Sequence, residues 1–427
     1  IPALLYVPDK LEGKVPVVLN VNGHDSKGKA ADYKQIRCIN QAKRGMLALN
    51  VEWFYMGQLR SDGFMHYRQN QLDLCGTSGL APFYLAMSRG LDVLLSHENA
   101  DPNRVAVAGL SGGGWQTIVI SSLDERVTLS NPVAGYSSFL TRVRHLQDLG
   151  DSEQTPVDLA ATADYAHLTA LRAPRPTLLT FNAEDQCCFK ADHALPPLVD
   201  AAGPIYELFG KEDHLRSHVN HDPGTHNFEL DNRQQLYKML GDFFFAEDAD
   251  YDWKEIPSQE EVKSAEELNV PLPDANLDFH KLALVLSRDL PRDAALPESK
   301  SDAERWRTER RQQLREIVHA EDYDVQAIAV DHQEKGGLMG TYWWLRIGGA
   351  WTVPAVELVQ GDPKGTTVLL ADGGRASAVE QVQQLLKAGQ RVLAVDLFYF
   401  GESKIVQKDF LYALLVSSVG ERPLGIQ

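Results

Sequence analysis

Short, wholly apolar runs that recur between stretches of helical periodicity constrain this chain most. Val17-Val18-Leu19-Asn20-Val21 is nearly continuous in apolar character, as expected of a strand buried on both faces. Helical stretches alternate with further runs of the same kind. The reading is strands at Ala3–Val7, Val17–Val21, Met46–Val51, Val105–Ala108, Thr177–Phe181 and Ile205–Phe209. Helices are read at 30–44, 80–97, 113–123 and 232–245. This βαβα order predicts a doubly wound, mostly parallel sheet with helices on both faces.

The same pattern starts again late in the chain. Ile1–Pro8 resembles Val353–Gln360, Val17–His24 resembles Thr367–Gly374, and Arg44–Gly57 resembles Ala388–Gly401. The three blocks keep their order and drift little in spacing, so two related units in tandem are expected. The expected division is 1–245, a connector over 246–300, and a second unit over 301–427. Strands at Asp324–Val330 and Thr341–Ile347 precede the second copy, and nothing equivalent precedes Ile1. The first copy is therefore expected to lack initial strands, and any secretion leader would lie upstream. The second copy ends near the counterpart of the helix around Leu85–Leu95, so it is read as incomplete.

The connector is rich in Asp and Glu and carries Pro257, Pro271, Pro273, Pro291 and Pro297, which reads as a solvated, turn-rich segment. Ser301-Asp302-Ala303-Glu304 reads as a capping box for a helix to about Ala320, with Trp306, Leu314, Ile317 and Val318 as its buried stripe. A cut after about residue 248 is expected to leave the first unit working.

Composition excludes several classes. With 59 Asp and Glu against 42 Lys and Arg, the net charge of −17 repels nucleic acid. The longest basic cluster, Arg305 to Arg311, alternates with Glu304 and Glu309 and reads as a charge-laced helix face. No apolar stretch reaches the roughly 18 residues of a membrane span. Four cysteines, two of them adjacent at Cys187-Cys188, do not make a disulfide scaffold.

The chemistry sits at strand ends. Gly109-Leu110-Ser111-Gly112-Gly113 follows the run Val105–Ala108 and precedes a helix, the context of a nucleophile elbow rather than of a chance glycine-rich turn. A serine there needs a base held by an acid, in the chain order Ser, acid, His. Glu184-Asp185 follows Thr177–Phe181, and Asp185 is preferred because the shorter chain suits a tight turn. Four histidines lie between Asp213 and Phe228. His226, before the last helix, is the preferred base and His221 the alternative; His214 and His218 read as solvated. The backbone N–H groups of Gly112 and His24 are the candidate oxyanion donors. Glu52 and Trp53 are candidates for the pocket mouth, or for shaping a turn. No His-Glu-x-x-His spacing or Cys-x-x-Cys pair is present, so neither metal nor organic cofactor is expected.

Over residues 1–245 these features resemble the α/β-hydrolases of the acetyl xylan esterase and dienelactone hydrolase-like group. The second copy resembles the same superfamily without an elbow. The resemblance implies a serine esterase that removes acetyl or other small acyl groups from carbohydrate. Rival readings are a prolyl oligopeptidase-like peptidase, which would normally bring a β-propeller, and a non-catalytic carbohydrate-binding scaffold on the same fold.

Overall fold

The computed structural model describes residues 1–291, 296–404 and 409–426 and divides into two compact units, Ile1–Arg292 and Asp293–Gln427. The first holds a seven-stranded sheet: β1 (Ala3–Tyr6), β2 (Val15–Asn20), β3 (Leu47–Val51), β4 (Ala100–Leu110), β5 (Leu129–Val133), β6 (Thr177–Asn182) and β7 (Leu215–Asn220). Their spatial order is β1-β3-β2-β4-β5-β6-β7. β1 is antiparallel to β3, and every other pairing is parallel.

The central strands are apolar throughout because both faces are covered. Val17, Leu19, Val105 and Val107 pack into one core with Leu91, Leu94 and Ile118. Val18, Ala106 and Ala108 point the other way, onto Leu236, Leu240 and Phe244. Alternate residues thus serve opposite cores, and each layer of helices closes one of them. This is the doubly wound, mostly parallel α/β arrangement expected from the sequence.

Three local expectations fail. Ile205–Phe209 is not a strand: residues 205–208 end the helix Ala191–Leu208, and Phe209 caps it. Ala191, Ala194, Leu195, Leu198, Ala202 and Tyr206 form a buried stripe at helical spacing, and that packing prevails over Pro196, Pro197 and Pro204. The strand in question is β7, an edge strand whose sequence Leu-Arg-Ser-His-Val-Asn is only half-buried. β5, Leu-Ser-Asn-Pro-Val, escapes a search for apolar runs. It is nevertheless buried, because Asn131 Nδ2 donates to Leu178 O and Thr180 Oγ1.

The segment after residue 245 does not behave as a solvated connector up to 291. The helix Asp32–Lys43 is unusual in burying Gln35, Arg37, Asn40 and Gln41. Part of that polar face is satisfied by this segment: Gln35 exchanges hydrogen bonds with the backbone of Lys263, and Asn40 with that of Ile256. Arg233 forms a two-pronged pair with Glu255. Phe279, 2% exposed, enters the main core beside Phe54, Phe64 and Phe83. Residues 246–291 therefore belong to the first unit.

The second unit contains β8 (Val325–Lys335), β9 (Leu338–Ile347), β10 (Trp351–Gln360), β11 (Gly365–Leu369) and β12 (Gln390–Val395), in the order β11-β12-β10-β9-β8. β11 and β12 are parallel, and the other pairings are antiparallel. The helix Lys300–Ile317 is capped by Ser299, whose hydroxyl accepts from Asp302 N–H, two residues earlier than the expected box. Its expected stripe is not a buried one, with Leu314 and Ile317 exposed. Among the described residues no helix is long and apolar enough to cross a membrane.

Candidate active site

The loops that carry the candidate residues all leave the carboxyl ends of parallel strands: β2 for His24, β3 for Glu52 and Trp53, β4 for Ser111, β6 for Asp185 and β7 for His226. In open α/β sheets this edge is where sites form.

Ser111 sits between β4 and the helix Gly112–Leu123 with φ +60° and ψ −122°, a backbone state rare outside glycine. Its N–H donates to Val133 O, and its carbonyl accepts from Trp115 N–H. The outer glycines of the motif are required by close approach. A Cβ on Gly109 would lie 2.6 Å from Gly113 O, and one on either glycine would lie 2.5 Å from Val21 O. The strand-to-helix turn can be this tight only without those side chains.

Asp185 and His226 are brought together: His226 Nδ1 lies 2.7 Å from Asp185 Oδ2. The other oxygen, Oδ1, accepts from the N–H groups of Cys187 and Cys188, and Asn182 Nδ2 donates to Oδ2. Burial works against the Asp185 charge, but His226, Asn182 and the Cys188 N–H hold its carboxyl below the ordinary range. Burial likewise works against an imidazolium at His226, yet the hydrogen bond and charge of Asp185 raise that ring above its ordinary value.

The alternatives are placed elsewhere. Glu184 is largely exposed and pairs with Lys190 at 3.0 Å. His221 is exposed. His214 and His218 are not solvated as expected: His214 Nδ1 meets Pro174 O at 2.7 Å, and His218 Nε2 meets Asp231 at 2.7 Å.

The loop after β2 is anchored from three sides. Asn22 Nδ2 donates to Asn50 Oδ1 and Val51 O, and Gln116 Nε2 donates to Asn22 O. Gly23 then lies against the elbow, where a Cβ would stand 2.8 Å from Gly112 N. His24 follows directly. Its imidazole does more than pack, because Nε2 lies 3.2 Å from His66 Nδ1 and 3.0 Å from Asp151 Oδ2. His66, Asp151 and Glu153 were not singled out by sequence. His66 lies 42 positions after His24 and 85 before Asp151, so the group carries no spacing signal.

Glu52 and Trp53 are buried at 4% and 1% exposure, Glu52 in the wall of a cavity. Trp53 lies over Gly112 and stacks edge-on against His24. The Glu52 carboxylate is committed to its turn: it accepts from the N–H groups of Lys29 and Gln58 and pairs with Lys29 Nζ at 3.3 Å. A cavity of about 510 Å³ opens beside it, lined by Lys27, Lys29, Gln58 and Asn269, and none of Ser111, Asp185 and His226 borders that space. Cys38, Cys75 and Cys187 are free thiols, and Cys188 Sγ lies 3.5 Å from Cys187 Sγ.

Residues 1–160 match the family described as Acetyl xylan esterase (AXE1). No curated protein matches the chain. Among solved structures, the methylesterase BT1017 aligns with 22% identity and a TM-score of 0.50, over 62% of this chain and 56% of its own. A glucuronoyl esterase of carbohydrate esterase family 15 from Caldicellulosiruptor kristjansonii aligns at 17% identity and a TM-score of 0.40, over 62% and 78%. An acylaminoacyl peptidase from Pyrococcus horikoshii aligns at 17% and 0.40, over 61% and 41%. The chain thus spans little more than half the length of the methylesterase it matches. At these identities the likeness is one of fold. The match over residues 1–160 is thus to acetyl xylan esterases, and the likeness to the methylesterase is one of α/β-hydrolase fold.

Proposed function

We propose that the first unit is a serine esterase that removes acetyl or other small acyl groups from carbohydrate. Ser111 is the nucleophile, His226 the base and Asp185 the orienting acid. The observation that carries the reading is the 2.7 Å contact of His226 Nδ1 with a wholly buried Asp185 carboxylate, in the same row of loops as the strained Ser111.

In this reading Asp185 keeps the proton on Nδ1 and leaves Nε2 free to take the Ser111 proton as Oγ attacks the ester carbonyl. The N–H groups of Gly112, at a helix N-terminus, and of His24 receive the oxyanion. The imidazolium, steadied by Asp185, protonates the departing sugar hydroxyl. Water then enters by the same base and releases the carboxylic acid. The acyl class rests on the family match over residues 1–160.

The second unit is read as a related, partial α/β-hydrolase-like unit, to which no catalytic residue is assigned. Two observations support the kinship. The pairing β11-β12-β10 repeats that of β2-β3-β1. Tyr399 and Gly401 take positive φ as Tyr55 and Gly57 do. Its sequence contains no Gly-x-Ser-x-Gly.

The test is fluorophosphonate labelling of the full chain alongside nitrophenyl acetate turnover, each repeated with Ser111→Ala. Both signals should be present in the wild type and absent in the variant. A folded wild-type chain that neither labels nor turns over would replace this reading with the carbohydrate-binding scaffold. Turnover of an aminoacyl amide but of no acetyl ester would replace it with the peptidase.

A further inference from the structure

Beside the oxyanion loop, four side chains from three separate segments converge: His24, His66, Asp151 and Glu153, with ligand atoms all within 4.8 Å of one another. We propose that these four residues form a zinc site that clamps the His24 loop. The measured separations are 3.2 Å for His24 Nε2 to His66 Nδ1, and 3.0 Å for His24 Nε2 to Asp151 Oδ2. They are 3.0 Å for His66 Nδ1 to Glu153 Oε2, 3.6 Å for His66 Nδ1 to Asp151 Oδ2, and 4.0 Å for His24 Nε2 to Glu153 Oε1. A tetrahedral ion with bonds of roughly 2.0–2.1 Å sets its ligands about 3.3–3.4 Å apart. The observed edges straddle that value.

Glu153 supplies an independent indication. It is 1% exposed, and neither carboxylate oxygen accepts a hydrogen bond. An orphaned buried carboxylate is costly unless something positive meets it. Its Oε2 lies 3.0 Å from His66 Nδ1, at ion-pair distance but without hydrogen-bond geometry. His66 is oriented for ligation as well. Nε2 lies 3.0 Å from Phe54 O and serves as the donor there, which turns Nδ1 toward the cluster. Metal-bound histidines are commonly fixed by such a backbone carbonyl. On Asp151, Oδ1 accepts from Ser152 N–H, and Oδ2 is the oxygen turned to the histidines.

Two imidazoles and two carboxylates suit zinc better than calcium or magnesium, which prefer oxygen alone. Two neutral rings and two carboxylates carry −2, which a divalent ion cancels. All four positions are filled by protein, as in a structural site, while the side chains of His24 and Asp151 are about one-third exposed and leave a way in. The ion would join the loop after β2 to the turns at His66–Gln69 and Ser152–Gln154. Its role is positional: it fixes the residue whose N–H faces the nucleophile.

The experiment uses the full chain stripped with a chelator, then titrated with Zn2+ by calorimetry and thermal melting, with Co2+ absorption as a spectroscopic readout. About one Zn2+ should bind per chain with Kd below about 1 µM. At saturation the melting temperature of the first unit should rise by roughly 5 °C. Co2+ should give the intense visible bands of a tetrahedral site. Glu153→Gln and Asp151→Asn should each weaken binding by about 100-fold or more and abolish those bands. Asp151 is partly exposed, so its variant keeps the test sharp if the buried Glu153 variant misfolds. Absence of binding by the stripped wild type would overturn the proposal in favour of a protonated His66 paired with Glu153. Binding of equal strength in wild type and a folded Asp151→Asn would overturn it too, because the ion would then sit elsewhere.

Discussion

Replacing Gly23 by alanine should disable the proposed oxyanion site while keeping the Ser111, Asp185 and His226 side chains. An added Cβ would lie 2.6 Å from Leu110 O, 2.8 Å from Gly112 N and 3.0 Å from Gly113 N, whereas ordinary contact begins at 3.4 Å. All three atoms belong to the elbow backbone and cannot rotate away. The loop must retreat by some tenths of an ångström, up to about 0.8 Å, and Gly23 is bonded directly to His24, whose N–H is the proposed donor. Loss of one oxyanion donor typically costs about 10²–10³ in kcat, or about 2.7–4 kcal/mol of transition-state stabilisation. Overpacking of this kind costs about 1–3 kcal/mol of folding stability. The assay is nitrophenyl acetate turnover per folded molecule, together with the rate of fluorophosphonate labelling, because both reactions place an anionic oxygen in the same hole. Gly90→Ala is the control: its Cβ would be tight only against the movable Leu19 Cδ1 at 3.2 Å, with Val51 and Leu49 at ordinary contact distance. Turnover by Gly23→Ala within threefold of wild type would refute the argument and remove the loop from the catalytic machinery.

The base must be neutral to accept the Ser111 proton, so kcat/KM should fall with acid through an apparent pKa above the ordinary imidazole value of about 6.5; Asp185→Asn should move that limb down and cut kcat by up to about 10⁴-fold. In the same pair, the stabilisation from Asp185 is present above the ordinary carboxylate value and lost as pH falls through its depressed one, while that from His226 is present below the ordinary imidazole value and lost as pH rises through its raised one. Cys187 is exposed, and the Cys188 thiol, against a burial penalty and with help from His226, lowers its pKa; burial pushes Cys38 up to about 12, so brief iodoacetamide treatment followed by peptide mapping should label Cys187 and spare Cys38. Cutting after residue 248 should destabilise the first unit, because removing the Phe279 side chain alone costs about 3–5 kcal/mol; cutting after 291 should preserve a cooperative melt. Glu52→Gln should lower stability by up to about 3–5 kcal/mol by leaving the buried Lys29 Nζ without a counter-charge, its bond to Gln58 remaining, with kcat/KM of the folded fraction within a few-fold of wild type; a selective loss of kcat/KM would return Glu52 to the substrate pocket.

The centre of the sheet was legible because burial on both faces writes itself into composition. β2 and the buried half of β4 admit little but Val, Leu and Ala, and the elbow between β4 and its helix has a spacing that few other structures need. Legibility falls toward β7. An edge strand has one neighbour and half its surface in solvent, so it needs no apolar run, and the helix Ala191–Leu208 hid behind its three prolines. The docking of residues 246–291 was invisible for a related reason: acidic side chains face outward while backbone groups at Ile256 and Lys263 make the bonds to the first unit. Asp185 and His226 could be proposed from chain order, since their loops follow strands. His66, Asp151 and Glu153 could not, because folding alone brings them together.

One device appears in both units and explains why Glu52 drew attention as a site residue. Glu52 follows β3 and gathers the N–H groups of Lys29 and Gln58 and the Lys29 ammonium. Asp396 follows β12 and gathers the N–H groups of Arg375 and Glu402 and the Arg375 guanidinium. In each case a glycine at positive φ, Gly57 or Gly401, stands where any Cβ would strike the carboxylate. A buried acid tying two loops at the carboxyl edge of neighbouring parallel strands solves a general problem, because those loops expose N–H groups that the sheet cannot satisfy. The acid therefore tracks the fold and not the reaction. Its recurrence in both units ties it to the fold, and it leaves Ser111, Asp185 and His226 as the proposed catalytic residues of the first unit.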